Sequence, residues 1–103
     1  MNCWDIARQF YKQVFNLDLK HISTDPKDRY ASQSLIFTNM GDFKRVEQPD
    51  FGDIILIKVK GIESHIAIYL GQGLMLHSSE KTGSVIDRTN IWDKTIVGYF
   101  RPI

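Results

Sequence analysis

Two strand-like runs separated by Gly71-Gln72-Gly73 constrain this chain more than any other feature, because they leave room for one local structure, a tight antiparallel hairpin. Ser64 to Leu70 is rich in β-branched and aromatic residues and Leu74 to Ser78 is apolar; each arm carries one histidine, His65 and His77. With a three-residue loop Leu70 faces Leu74, Ala67 opposes His77, and His65 becomes the diagonal neighbour of His77. Both imidazoles then stand on one face, roughly 7–8 Å apart at the backbone and within reach of each other. A two-residue loop would move the register by one and send the histidines to opposite faces, since side chains alternate along a strand.

The segments on either side define what this hairpin packs against. After Asn2, a good helix cap, Cys3, Ala7, Phe10 and Val14 recur at the three-four spacing, with Trp4 and Tyr11 widening the stripe. This predicts an amphipathic helix from Cys3 to about Phe15, closed by Asn16 in a left-handed conformation. Leu17 to Thr24 reads as a connector. Asp25 as cap, Pro26 at the first helical position and Asp28 in the first turn start a second helix that runs to about Asn39, and Gly41 stops it. Asp42 to Asp50 is polar and reads as a loop containing a short extended piece at Phe43 to Val46.

Phe51-Gly52-Asp53 turns into Ile54 to Lys60, a continuous apolar run that suits a strand buried on both faces. Lys60 to Glu63 turns the chain into the first histidine arm. Beyond the hairpin, Glu80 to Gly83 is a turn, Ser84 to Arg88 a short strand, Thr89 the cap of one helical turn through Trp92, and Ile96 to Arg101 a last strand. Helices first and strands afterwards give an α+β fold, N-terminal helices packed on an antiparallel β-sheet. The 103 residues suit one domain, 1–103, with a single modest core.

A net charge of +1 without charge blocks leaves no electrostatic footprint for nucleic acid or an anionic membrane. No apolar run approaches the roughly 20 residues of a membrane span, and no secretory signal opens the chain. A single cysteine excludes an internal disulfide and leaves three roles for Cys3: buried thiol, metal ligand or nucleophile. Cys3, His21, His65 and His77 lack the short spacings of structural zinc sites. In the first helical turn, unpaired backbone N–H groups and the helix dipole lower a thiol pKa toward the thiolate. His65 is then the candidate base and His77 the group that accepts a hydrogen bond from its other nitrogen, a role carboxylates fill in serine triads. Taken singly, Cys3 also reads as a small core residue and each histidine as a packed or solvated polar group. Trp4, Trp92 and Tyr99 read as core.

Cys3 at the head of an amphipathic helix, Gly52-Asp53 before a strand, His65-Ile66-Ala67-Ile68-Tyr69-Leu70-Gly71, His77-Ser78, and the closing Val97-Gly98-Tyr99-Phe100-Arg101-Pro102 together resemble the NlpC-type cell-wall cysteine endopeptidases. Cys3-Trp4 with Phe10-Tyr11 is most similar to the branch found in bacteriophage tail proteins. The resemblance implies a papain-like core, hydrolysis of peptide bonds in peptidoglycan stem peptides, Cys3 as nucleophile, His65 as base, His77 as third polar residue, and no cofactor. It also implies a virion tail location with other tail proteins as partners, or the bacterial cytoplasm for a prophage product. The family usually has Asp before the cysteine, Ser-Gly after it and often a tyrosine upstream; here Asn2 precedes and Trp4-Asp5 follow. Those departures motivate a second expectation, a structural tail docking module of the same fold with little turnover. A third is a related acyltransferase acting on lipids or amines.

Overall fold

Ile54, Ile55, Leu56 and Ile57 are each at most 2% exposed, which consecutive strand residues achieve only when both faces of their sheet are covered. The computed structural model describes residues 3–19, 43–59, 62–79 and 83–102, excepting the side chains of 3, 4, 59, 62–64 and 79. In it these four residues begin β2 (Ile54–Val59). The other strands are β1 (Phe43–Val46), β3 (Ile62–Gly71), β4 (Leu74–Ser79), β5 (Gly83–Arg88) and β6 (Ile96–Pro102). They form one sheet in the order β1-β6-β2-β3-β4-β5, every neighbouring pair antiparallel. With α1 (Cys3–Phe15) packed on it, the fold is α+β as expected. The second helix expected from Asp25 to about Asn39 lies outside the described residues. Among the described residues no helix is long and apolar enough to cross a membrane.

Alternation along the central strands sorts the core into two layers. Ile54, Leu56, Ile66 and Ile68 meet Ala7 and Tyr11 of α1 on one face; Ile55, Ile57, Ala67 and Met75 lie on the other with Tyr69, Trp92, Ile96 and Tyr99. Each fully buried Ile or Leu contributes about 1.5–3 kcal/mol of transfer free energy. The Lys12–Asp18 ion pair at 3.2 Å, with side chains 55% and 81% exposed, contributes at most about 1 kcal/mol. The two-sided burial of β2 is therefore what anchors the sheet.

Asn16 has φ 52° and ends α1 as expected. Its N–H donates to the Lys12 carbonyl and that of Leu17 to the Tyr11 carbonyl, each at 3.1 Å, so two terminal carbonyls are satisfied. The buried stripe is centred differently from the expected one. Ile6, Ala7 and Tyr11 face the core, whereas Val14 and Phe15 are half exposed. The Tyr11 hydroxyl donates to the Gly52 carbonyl and draws that side of α1 down onto the 51–53 turn. Phe43 to Val46, expected as a short extended piece within a loop, is a strand at the sheet edge paired with β6, and the run beginning at Ile54 is interior as expected. Thr89 does not cap a single turn: a 3₁₀ segment runs Thr89–Thr95 with Arg88 at the cap position and no side-chain cap bond. The Thr89 N–H donates instead to the Gly73 carbonyl at 2.8 Å, tying that segment to the hairpin.

Candidate active site

The hairpin reaches its expected register by an unexpected route. Ile68 pairs with Leu76 and Tyr69 with Met75, the alignment a three-residue loop demands, yet β3 extends to Gly71 and pairs it with Leu74. The loop is thus two residues, Gln72-Gly73, both at positive φ, 54° and 75°, which is the type I′ geometry that matches strand twist. A bulge between Tyr69 and Gly71, with Gly71 at φ 89°, absorbs the one-residue difference. Without it the two histidines would face opposite sides of the sheet.

With it, His65 Nε2 lies 3.1 Å from His77 Nδ1, the rings edge to face with centroids 5.3 Å apart. His77 Nε2 lies 2.6 Å from Asp87 Oδ2. Asp87 comes from β5, where it pairs with Met75 and so stands diagonal to His77, which itself pairs with Val85. The hydrogen bond from His77 holds the Asp87 carboxyl below the usual carboxylate range, so the carboxylate accepts. One set of neutral tautomers satisfies the whole line. His77 Nε2–H donates to Asp87, His77 Nδ1 therefore accepts, and His65 Nε2–H donates to it. The free lone pair of the line then falls on His65 Nδ1.

Trp92 closes this line off from water. Its ring meets His77 edge to face at 5.2 Å and lies tilted 32° against His65 at 6.3 Å, and His77 is 5% exposed. Burial, with the neighbouring His77 second, pushes the His65 pKa down to about 4, so this imidazole is neutral around pH 7 and able to accept a proton. The Trp92 Nε1–H is buried with no hydrogen-bond partner among the described residues. The three side chains form a line and not a cage: among the described residues no group of three His, Cys, Asp or Glu side chains could hold a metal ion.

Of the three expected site residues, the structure brings His65 and His77 together. Cys3 is the first residue of α1, and its side chain lies outside the described set, as does all of His21. Alternation along β3 places His65 on the Ala67 and Tyr69 face, opposite the face that receives Ala7 and Tyr11. Sequence reasoning missed Asp87. The only signal available was positional: if β5 follows β4 through a short turn, a carboxylate ten residues after His77 falls diagonally across from it.

A second polar cluster fixes the turn before β2. Asp53, 2% exposed, receives Arg101 Nε at 2.9 Å and Nη2 at 2.8 Å, and its Oδ2 also accepts the Asp50 N–H at 2.7 Å. The turn is stitched to β3 through Gly52 N–H to the Tyr69 carbonyl at 2.7 Å and Tyr69 N–H to the Asp53 carbonyl at 2.8 Å. Gly52 has φ 91°, and a Cβ there would stand 2.6 Å from the Phe15 ring. The positive φ favours glycine, and any side chain would also have to displace the half-exposed Phe15 ring. Burial, then the Asp53 charge, raises the Tyr11 pKa above its ordinary value, so the hydroxyl that bonds Gly52 stays protonated.

Residues 1–101 match the sequence profile described as the NlpC/P60 family. No curated protein matches the chain. Among solved structures, the NlpC/p60 domain of the peptidoglycan hydrolase SagA is similar, with TM-score 0.62 and 19% identity, covering 98% of this chain and 76% of that one. At that identity the likeness is one of fold, a six-stranded antiparallel sheet with an N-terminal helix in the papain-like arrangement.

Proposed function

The chain belongs to the NlpC/P60 family, and on that premise we propose that it is a cysteine peptidase domain that hydrolyses peptide bonds in peptidoglycan stems. Cys3 is the nucleophile, His65 the base and His77 the residue that orients it. The observation that carries this reading is the 3.1 Å contact between His65 Nε2 and His77 Nδ1, which leaves His65 Nδ1 with its lone pair free.

In this reading the Cys3 thiol gives its proton to His65 Nδ1, and the thiolate attacks the scissile carbonyl. The thiolate and the imidazolium stabilise each other as an ion pair, which is how a base of low pKa in the resting protein takes a proton from a thiol. The tetrahedral oxyanion is held by backbone N–H groups at the start of α1. His65 returns the proton to the leaving amine as the C–N bond breaks. Water, deprotonated by His65, then cleaves the thioester and regenerates the thiol. The similarity of Cys3-Trp4 and Phe10-Tyr11 to the tail-protein branch supports a place in a phage tail, where the domain would open the wall locally during genome entry. Its presence in purified virions tests that placement.

The test of the activity is release of new amino groups from purified cell walls. Cys3→Ala and His65→Ala, with folding verified by circular dichroism, are expected to lower the rate at least about 10³-fold. Full activity in Cys3→Ala would end the reading.

A further inference from the structure

We propose that Asp87 is a positioning residue that sets the tautomer of both histidines, so that the proton-accepting nitrogen of His65 is chosen two rings away. The inference rests on the peptidase reading for its effect on rate, and on the described geometry for its effect on the rings.

Three observations carry it. The Asp87 Oδ2 to His77 Nε2 separation of 2.6 Å is in the short range of charge-assisted hydrogen bonds. His77 is buried while the Asp87 side chain is about a third exposed, so the imidazole has no water to replace this acceptor, whereas the carboxylate is free to exist as an anion. The rings are in line, each bonded through one nitrogen to the next group. A neutral imidazole donates at one nitrogen and accepts at the other. Fixing His77 Nε2 as donor therefore fixes His77 Nδ1 as acceptor, His65 Nε2 as donor and His65 Nδ1 as the bare nitrogen. Reversing the first choice reverses all of them: His77 would present Nδ1–H to His65 Nε2, and the His65 proton would sit on Nδ1, the nitrogen that must accept from the thiol. An ionised carboxylate cannot donate, so it excludes the reversed line. Trp92 packed on both rings prevents the rings from turning over to escape the constraint.

Among the described residues, His65, His77 and Asp87 are the groups on this line whose hydrogen bonding decides the choice.

The experiment is ¹⁵N NMR of the imidazole nitrogens near pH 7 in wild type, Asp87→Ala and Asp87→Asn, alongside kcat and KM for wall-derived peptides. Wild type is expected to hold both histidines as the Nε2–H tautomer. Both variants are expected to populate mixed tautomers at His65 and His77, with kcat reduced roughly 10- to 100-fold and KM within about twofold. Asp87 lies in a strand with its side chain partly in solvent, and Asp87→Asn preserves its shape, so the pair covers the case in which one variant folds poorly. Unchanged His65 and His77 tautomers in a folded variant would overturn the proposal, even if kcat fell. Shifted tautomers in a protein whose wild type cleaves no wall would sustain it while removing the peptidase reading.

Discussion

At the scale of single residues, His65 shows how burial and hydrogen bonding prepare a group for chemistry and make it a liability for stability. Its pKa is lowered from 6.5 to about 4 by burial first and His77 second. Between those values the unfolded chain holds a proton on this residue that the folded chain does not, so stability falls as pH drops through the window and levels off below it. The contribution is on the order of 2–3 kcal/mol. Urea midpoints at pH 7 and pH 4.5 should therefore converge in His65→Gln relative to wild type; an equal acid-induced loss in both would show that His65 is not the titrating group. His65 and His77 were legible as a pair from the sequence because the three-residue loop read there and the bulged two-residue loop of the structure give the same strand parity. Asp87 was not, because a diagonal partner on the next strand depends on a turn whose length the residues 80–82 do not reveal.

At the scale of elements, the hairpin illustrates a correct expectation reached through incorrect detail. A three-residue loop and a two-residue loop preceded by a bulge give the same pairing of Ile68 with Leu76, and the glycines at 71 and 73 permit either. Gln72 holds φ 54°, a conformation asparagine tolerates better than glutamine. Gln72→Asn is expected to stabilise the protein by about 0.5–1 kcal/mol, read as a higher urea midpoint with an unchanged slope; a lower midpoint would show that Gln72 makes a contact that outweighs its backbone strain. α1 is the converse case. Its limits, Cys3 and Phe15, and its left-handed stop at Asn16 follow from local pattern. Which of its faces is buried followed from a tertiary bond, Tyr11 to Gly52, and so Ile6 is buried where Val14 had been expected.

At the scale of the whole molecule, the Asp53–Arg101 pair joins the turn before β2 to the end of β6, its neighbour in the sheet, across 48 residues of chain. Its two parallel N–H···O bonds reach a carboxylate 2% exposed, so removing Arg101 would leave that buried charge without its match, whereas Arg101 also reaches Asp50 Oδ2 at 3.1 Å. Asp53→Asn is expected to lower Tm by roughly 5 °C or more, and Asp50→Asn, at a side chain 82% exposed, by much less. Comparable shifts in the two would mean that the buried carboxylate is not the anchor.

The limits of α1, the α+β class and the interior place of β2 were determined by the sequence by itself, because each depends on periodicity or turn chemistry within about fifteen neighbouring residues. The tertiary structure alone decided that β6 inserts between β1 and β2, that Arg101 meets Asp53, and that Asp87 and Trp92 complete the surroundings of the two imidazoles. These partners are 48 and 10 to 27 residues apart, and nothing in local pattern selects among the many strand orders that would bury the same apolar faces equally well.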